Sequence, residues 1–60
     1  MNGKQVIKRL QQENWVYSHT RGSHYYYKKN GKLIVVPVHG AKDIATGTLN
    51  SIFKQAGWKK

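Results

Sequence analysis

The side chains able to carry out acid–base chemistry in this sequence are few. Its 60 residues include three histidines, His19, His24 and His39, two acids, Glu13 and Asp43, and no cysteine. Two isolated carboxylates supply neither the paired acids of a glycosidase nor the clustered acids of a two-metal nuclease. The histidines lack the HxH or HxxxH spacing that gathers imidazoles on zinc, so we predict no metal site. Acid–base catalysis by one histidine remains.

RNA is the nucleic acid on which a single imidazole can suffice. It carries its own nucleophile, the 2′-OH, so a base that removes this proton can start cleavage without a metal. His24 is the best candidate because it follows a Gly-Ser turn and opens a run of aromatic and basic residues. A lone histidine is more often structural, and the pattern alone leaves both interpretations open.

The charge of the chain indicates a polyanionic partner. Eleven Lys and Arg residues against two acids give a formal net charge of +9 at pH 7, in the range expected for electrostatic binding of nucleic acid. RNA, DNA and an anionic membrane all fit the charge alone. Because no segment approaches the roughly 18 apolar residues of a spanning helix and the first residues lack a signal-peptide core, we expect a cytoplasmic protein that does not bind membranes.

The first half of the chain predicts a helix followed by strands. Asn2 and Gln5 resemble a capping box, and apolar residues at helical spacing then predict a first helix over residues 3–13. Between Trp15 and Val38 the residues are β-branched and aromatic, and two glycine-containing turns interrupt them. This pattern predicts a three-stranded antiparallel meander, with His24 just after the first turn.

The second turn, Asn30-Gly31, sets the register of the last two strands, because both positions of such a loop accept positive φ. The predicted pairs are Lys29 with Lys32, Tyr27 with Ile34, Tyr25 with Val36, and His24 with Pro37. Alternation places Tyr25, Tyr27, Ile34 and Val36 on the core face, and His24, Tyr26, Lys28 and Val35 on the other. His24 should therefore be accessible.

The last third of the chain predicts a second amphipathic helix, with Thr46 as its N-cap and apolar residues at i, i+3, i+4 and i+7 from Leu49. Gly57 suits the left-handed position after the helix, which would let Trp58 pack back on Phe53. The predicted fold is therefore α+β with the order αβββα. One three-stranded antiparallel sheet carries both helices on one face, in a single domain over residues 1–60.

The candidate RNA contacts fall in two places. Those on the strands are Arg21, Gly22, Ser23, Tyr26, Lys28 and Lys29. We expect Arg21, Lys28, Lys29 and Lys32 to lie near His24 in the hairpin. Tyr26 is the candidate for stacking an unpaired base, and the cations for binding phosphates. The second place combines Lys42 with the backbone N–H groups of Thr46, Gly47 and Thr48, because a helix N-terminus offers unpaired donors. Ordinary capping explains that second group of residues equally well.

Several short motifs resemble those of one known family. They are Gly22-Ser23-His24 opening a strand, Val36-Pro37-Val38-His39 closing the next, Lys42-Asp43-Ile44, Gly47-Thr48-Leu49, and Ile52-Phe53-Lys54-Gln55-Ala56-Gly57. Over essentially its whole length the chain is similar to the HicA (YcfA-like) toxins. The resemblance implies a fold like that of double-stranded-RNA-binding domains. It also implies the toxin of a type II toxin–antitoxin pair, which cleaves mRNA without a metal.

The resemblance further implies a catalytic residue and a partner. The family's catalytic histidine lies in the Gly-Ser-His element, which corresponds to His24, whereas no role is implied for His19 or His39. A HicB-like antitoxin is the implied protein partner, and no small-molecule cofactor is expected. Two other classes of protein fit the charge and the predicted fold, namely a non-catalytic RNA-binding module and a basic structural protein of a ribonucleoprotein. In both of these His24 would be dispensable.

Overall fold

Residues 1–58 are described by a computed structural model of the chain. The elements are α1 (Gly3–Gln12), β1 (Val16–Arg21), β2 (His24–Lys29), β3 (Lys32–Pro37) and α2 (Thr46–Ala56). The strands form one antiparallel sheet in the order β1-β2-β3. The predicted α+β fold with αβββα order, like that of double-stranded-RNA-binding domains, is thus confirmed.

Helix α1 begins at the predicted capping box. The Gln5 backbone N–H donates to Asn2 Oδ1 at 2.9 Å, and the Asn2 N–H donates to Gln5 Oε1 at 2.9 Å. These bonds satisfy two backbone donors that the first turn leaves free. Glu13 is the C-cap residue, so the helix ends one residue earlier than predicted.

The Asn30-Gly31 turn sets the predicted register of β2 and β3. Asn30 and Gly31 have φ values of 51° and 78°, as the two central positions of a type I′ turn require. The four predicted pairs, Lys29 with Lys32, Tyr27 with Ile34, Tyr25 with Val36 and His24 with Pro37, all occur. Local turn chemistry was therefore sufficient to position this hairpin.

Strand β1 contains a bulge at Ser18. Tyr17 pairs with Tyr27 and His19 pairs with Tyr26, which leaves Ser18 as an extra residue. A bulge shifts the alternation of the residues that follow it. Tyr17, which precedes the bulge, contacts Tyr27 on the side of the sheet that carries the helices, at 5.8 Å between ring centroids. His19 lies on the opposite side, which we call the outer face.

The core lies between the two helices and the inner side of the sheet. Its buried members are Val6, Leu10, Trp15, Tyr27, Ile34, Val36, Ile44, Ile52 and Trp58. The members from the sheet are on its core face, as predicted, and both helices pack there. Burial raises the pKa of the Tyr27 hydroxyl above its ordinary value.

The start of α1 packs closely on the end of β3. A Cβ atom on Gly3 would lie 2.6 Å from the Pro37 carbonyl oxygen and 2.8 Å from Val38 Cγ2. Only glycine fits this contact without a shift of the backbone. The contact fixes the N-terminus of α1 at the end of the sheet where β2 begins and β3 ends.

At the opposite end of the sheet, Glu13 connects both helices to β2. Its carboxylate accepts from Trp58 Nε1 at 2.8 Å and from Arg9 Nε at 3.3 Å. Its backbone carbonyl oxygen accepts from Lys29 Nζ at 2.7 Å. The Arg9 guanidinium also lies 4.2 Å from the Trp58 ring centroid. One of the two acids of the chain and two of its cations, Arg9 and Lys29, are therefore engaged in contacts within the protein.

Helix α2 differs from the prediction at its start and matches it at its end. Ala45, in an extended conformation, occupies the N-cap position without a side-chain cap. Thr46 is the first helical residue, so its prediction as the N-cap was wrong. At the other end, the Trp58 N–H donates to the Phe53 carbonyl oxygen at 2.8 Å and the two rings lie 5.2 Å apart. Among residues 1–58, neither helix is long and apolar enough to cross a membrane.

Candidate functional site

His24 is the first residue of β2 and is exposed, as predicted. Its position depends on the two-residue turn before it. Gly22 has a φ of +60°, which fits the first central position of a type II′ turn and favours glycine there. The turn pairs His24 with Arg21 on β1, and β3 supplies Pro37 as the other neighbour.

The strand register assigns three rows of side chains to the outer face. From the His24 end, these rows are Arg21, His24 and Pro37, then His19, Tyr26 and Val35, then Val16, Lys28 and Leu33. Neither α1 nor α2 covers this face, and Val16, Leu33 and Val35 are 66%, 45% and 37% exposed. Both acids lie elsewhere, so the only formally charged side chains of the face at neutral pH are basic.

The loop after β3 begins beside the turn that carries His24. The Val38 N–H donates to the Ser23 carbonyl oxygen at 2.8 Å, and His39 follows directly. The Lys42 N–H then donates to the His39 carbonyl oxygen at 3.1 Å, which turns the loop back on itself. His39 and Lys42 therefore belong to the same end of the molecule as His24.

The start of α2 lies at this end as well. The Ile44 N–H donates to the Met1 carbonyl oxygen at 2.8 Å, which ties the loop before α2 to the chain before α1. Thr46, Gly47 and Thr48 are exposed, and no side chain caps the helix. The N-cap residue Ala45 therefore accepts no hydrogen bond from these N–H groups through its side chain.

Three of the predicted neighbours of His24 lie far from it. Lys28 is four residues further along β2, and Lys29 pairs with Lys32 at the last position of the hairpin. At about 3.3 Å per residue, Lys29 is roughly 17 Å from the start of the strand. It also points to the helix side, where it donates to the Glu13 carbonyl oxygen. The expectation that these lysines lie near His24 was wrong. In an extended strand, residues only four or five positions apart in the sequence are already far apart in space.

Two surface depressions lie at this far end. One is about 480 Å³ and includes Lys28, Lys32 and Leu33 in its wall. A second, of about 220 Å³, lies between the Asn30-Gly31 turn and the C-terminal end of α2. His24 lines neither of them, and its surroundings are an open surface.

His19 is the residue of this surface that sequence analysis missed. Its ring stacks on that of Tyr26, with 4.2 Å between centroids and 9° between planes. Regular alternation from Tyr17 would put His19 on the helix side, and no feature of the sequence reveals the bulge that moves it. Among residues 1–58, no three His, Asp or Glu side chains form a group able to hold a metal ion.

Comparison with known proteins gives two matches. Residues 3–58 match the sequence profile of a family described as "HicA toxin of bacterial toxin-antitoxin". A segment of 39 residues is 49% identical to a probable mRNA interferase HicA of Pseudomonas fluorescens (strain Pf0-1), and the alignment covers 65% of this chain and 65% of that protein. Since the family profile extends over nearly the whole chain, including both helices and the Gly22-Ser23-His24 turn, this protein belongs to the HicA toxin family.

Proposed function

We propose that this chain is an endoribonuclease toxin that cleaves mRNA without a metal and thereby inhibits translation. The observation that carries the proposal is the position of His24 within the family match, exposed at the start of β2. The name of the Pseudomonas relative, a probable mRNA interferase, supports the same activity. A cytoplasmic location follows from the substrate.

In the proposed reaction, neutral His24 accepts the proton of a ribose 2′-OH. The 2′-oxygen attacks the adjacent phosphorus and the bond from phosphorus to the 5′-oxygen breaks, which leaves a 2′,3′-cyclic phosphate and a free 5′-OH. The Arg21 side chain, paired with His24 on the same face, stabilises the negative charge that builds up on the phosphoryl oxygens.

The departing 5′-oxygen needs a proton. The imidazolium formed on His24 can return it, and water is a second source. His39 is a third, because its loop starts beside Ser23. These three routes predict different effects of replacing His39, since only the last requires its imidazole.

A neighbouring phosphate of the RNA is proposed to bind at the start of α2. Lys42 and the backbone N–H groups of Thr46, Gly47 and Thr48 lie at the same end of the molecule as His24. The absence of a side-chain cap on α2 leaves these donors available to a phosphate. Gly22 and Ser23 would let the RNA backbone approach the turn closely.

A HicB-like antitoxin is the proposed protein partner. The exposed Arg21 and Lys42 at the His24 end of the molecule favour a partner with an acidic surface, since like charges would repel across the contact. Such a protein would inhibit cleavage by covering His24. We expect cleavage to stop when the antitoxin is added.

The proposal is tested by incubating the purified protein with a single-stranded transcript in EDTA. Cleavage that continues in EDTA and yields 2′,3′-cyclic phosphate ends supports it. A shift of the transcript's mobility without fragments would identify a non-catalytic RNA-binding module and overturn the proposal. Cleavage that EDTA abolishes would contradict the metal-free mechanism.

A further inference from the structure

The outer face of the sheet holds two stacked rings one row away from His24. His19 and Tyr26 are cross-strand neighbours, and their rings are parallel within 9°. The stack exists because the Ser18 bulge moves His19 to this face. Bulges are frequent next to functional sites, where they redirect a side chain. His19 is exposed, so the core does not require it there.

A second contact fixes the orientation of the His19 ring. Ser18 Oγ and His19 Nδ1 share a hydrogen bond of 2.9 Å. The bulge residue therefore both redirects His19 and restrains its rotation. A ring that is already oriented loses less conformational entropy when a ligand binds.

Each ring of the stack has one face turned to the other ring and one face turned away from it. Because the stack runs across the strands from β1 to β2, the second face of Tyr26 is turned toward β3. Its neighbour there is Val35, a short side chain that is 37% exposed. We call the space above Val35 and beside the Tyr26 ring the slot.

The slot combines cations with a flat aromatic ring, and this combination favours a nucleic acid. Arg21 and Lys28 occupy the rows on either side of it, and neither acid of the chain lies on this face. A flat ring beside cations binds a base by stacking and the adjoining phosphates by charge. Tyr26 is two residues from His24, or about 7 Å along the strand, within reach of the nucleotide next to the cleaved bond.

We propose that Tyr26, His19 and Val35 form a subsite for one unpaired base next to the scissile phosphate. The base stacks on the second face of Tyr26, over Val35, while His19 supports Tyr26 from behind. A paired base cannot enter the slot, so the subsite selects single-stranded RNA. Its placement next to the cleaved bond rests on the proposed function, whereas base stacking itself does not.

The test uses a fluorescent 2′-O-methyl RNA oligonucleotide, which lacks the 2′-OH nucleophile and stays intact. Tyr26→Ala should weaken binding by about tenfold, within the range of one stacked base, and His19→Ala should weaken it several-fold. Tyr26→Phe, which keeps the ring, should bind as the wild type does. Thr20→Ala, next to His19 on the helix side of β1, is the matched control and should also leave binding unchanged. Melting curves report whether each variant is folded.

Oligonucleotides with one abasic position separate stacking from general effects. The wild type should lose affinity when the abasic site falls in the slot, and Tyr26→Ala should show no further loss with that oligonucleotide. Equal losses for intact and abasic oligonucleotides, or wild-type binding by folded Tyr26→Ala and His19→Ala, would overturn the subsite.

Two further results separate the subsite from the proposed function. If the protein cleaves no RNA but shows the stacking pattern, the nuclease proposal fails and the subsite stands. If cleavage and binding are unchanged in the variants but the complex with an antitoxin encoded beside the gene is lost, the outer face docks a protein and the subsite is wrong.

Discussion

Arg21 lies directly opposite His24 across the β1–β2 turn, and only Gly22 and Ser23 separate them. Alternation places both side chains on the outer face, where both are exposed. The guanidinium group thus belongs to the same row as the proposed base. This pairing depends on the turn and is independent of the lysines at the other end of the sheet.

Arg21→Gln should lower kcat/KM for RNA cleavage by about a hundredfold, the usual effect of losing one donor to a developing anion. Lys54→Gln removes an equal charge from the exposed surface of α2 and is the matched control. Initial rates with one defined RNA at fixed ionic strength measure the difference. Equal losses in the two variants would show that Arg21 acts only through net charge.

Lys28 and Lys29 are neighbours in the chain, but only Lys28 faces the proposed RNA surface. Lys28→Gln should reduce the slope of log K against log salt by about 0.7, as expected for one contact to a single strand. Lys29→Gln should leave that slope unchanged and lower the free energy of unfolding by about 1 kcal/mol, because it loses the bond to the Glu13 carbonyl oxygen. Salt titrations and urea denaturation of both variants check this, and a reduced slope for Lys29→Gln would contradict it.

Gly3→Ala should destabilise the protein by about 1–3 kcal/mol, because the new methyl group overlaps the Pro37 carbonyl and the Val38 side chain. The matched control is Gly47→Ala in the first turn of α2, where a Cβ meets no atom within 4 Å. That change should be neutral or slightly stabilising. Urea denaturation compares the two, and equal stability would refute the close packing of α1 on β3.

The Glu13 cluster should make stability sensitive to acid. The hydrogen bond from the Trp58 indole is the main factor that lowers the pKa of Glu13 below its ordinary value of 4.5, with Arg9 contributing next. Because the folded pKa is below the unfolded one, the carboxylate stabilises the protein above pH 4.5, and this contribution is lost as pH falls through the folded pKa.

Glu13→Gln should therefore lower stability at pH 7 and flatten its decline below pH 4.5. Asp43→Asn is the control, since the Asp43 side chain is 80% exposed and 3.8 Å from the terminal amine, where an ion pair contributes little. Melting temperatures over a pH series measure both slopes. If the melting temperature of Glu13→Gln fell with acid as steeply as that of the wild type, the Glu13 carboxylate would not stabilise the protein as described.

Several features that depend on residues close together in the sequence were predicted correctly. The Asn30-Gly31 turn determined the register of β2 and β3, and that register correctly placed His24 and Tyr26 on the outer face. Side-chain contacts from distant parts of the chain were not predictable in this way. The Lys29 ammonium bonds to Glu13, 16 residues earlier, and only the folded structure shows that this removes it from the candidate RNA surface.

The bulge at Ser18 is the feature with the largest effect on the candidate site. Side chains alternate between the two sides of a strand. One extra residue therefore moves every later side chain of that strand to the opposite side of the sheet. The position of His19 on the outer face could therefore not be predicted from the sequence. The start of α2 was missed by one residue, because Thr46 is a favourable cap by residue type but Ala45 occupies that position.

The most direct test of the account is the rate at which His24→Ala cleaves a defined single-stranded RNA in EDTA. His24 is exposed and outside the core, so the variant should melt like the wild type and bind a 2′-O-methyl oligonucleotide with similar affinity. Its cleavage rate should fall by about 10²–10⁴, the contribution of a positioned general base. A folded His24→Ala that cleaves at the wild-type rate would contradict the central claim.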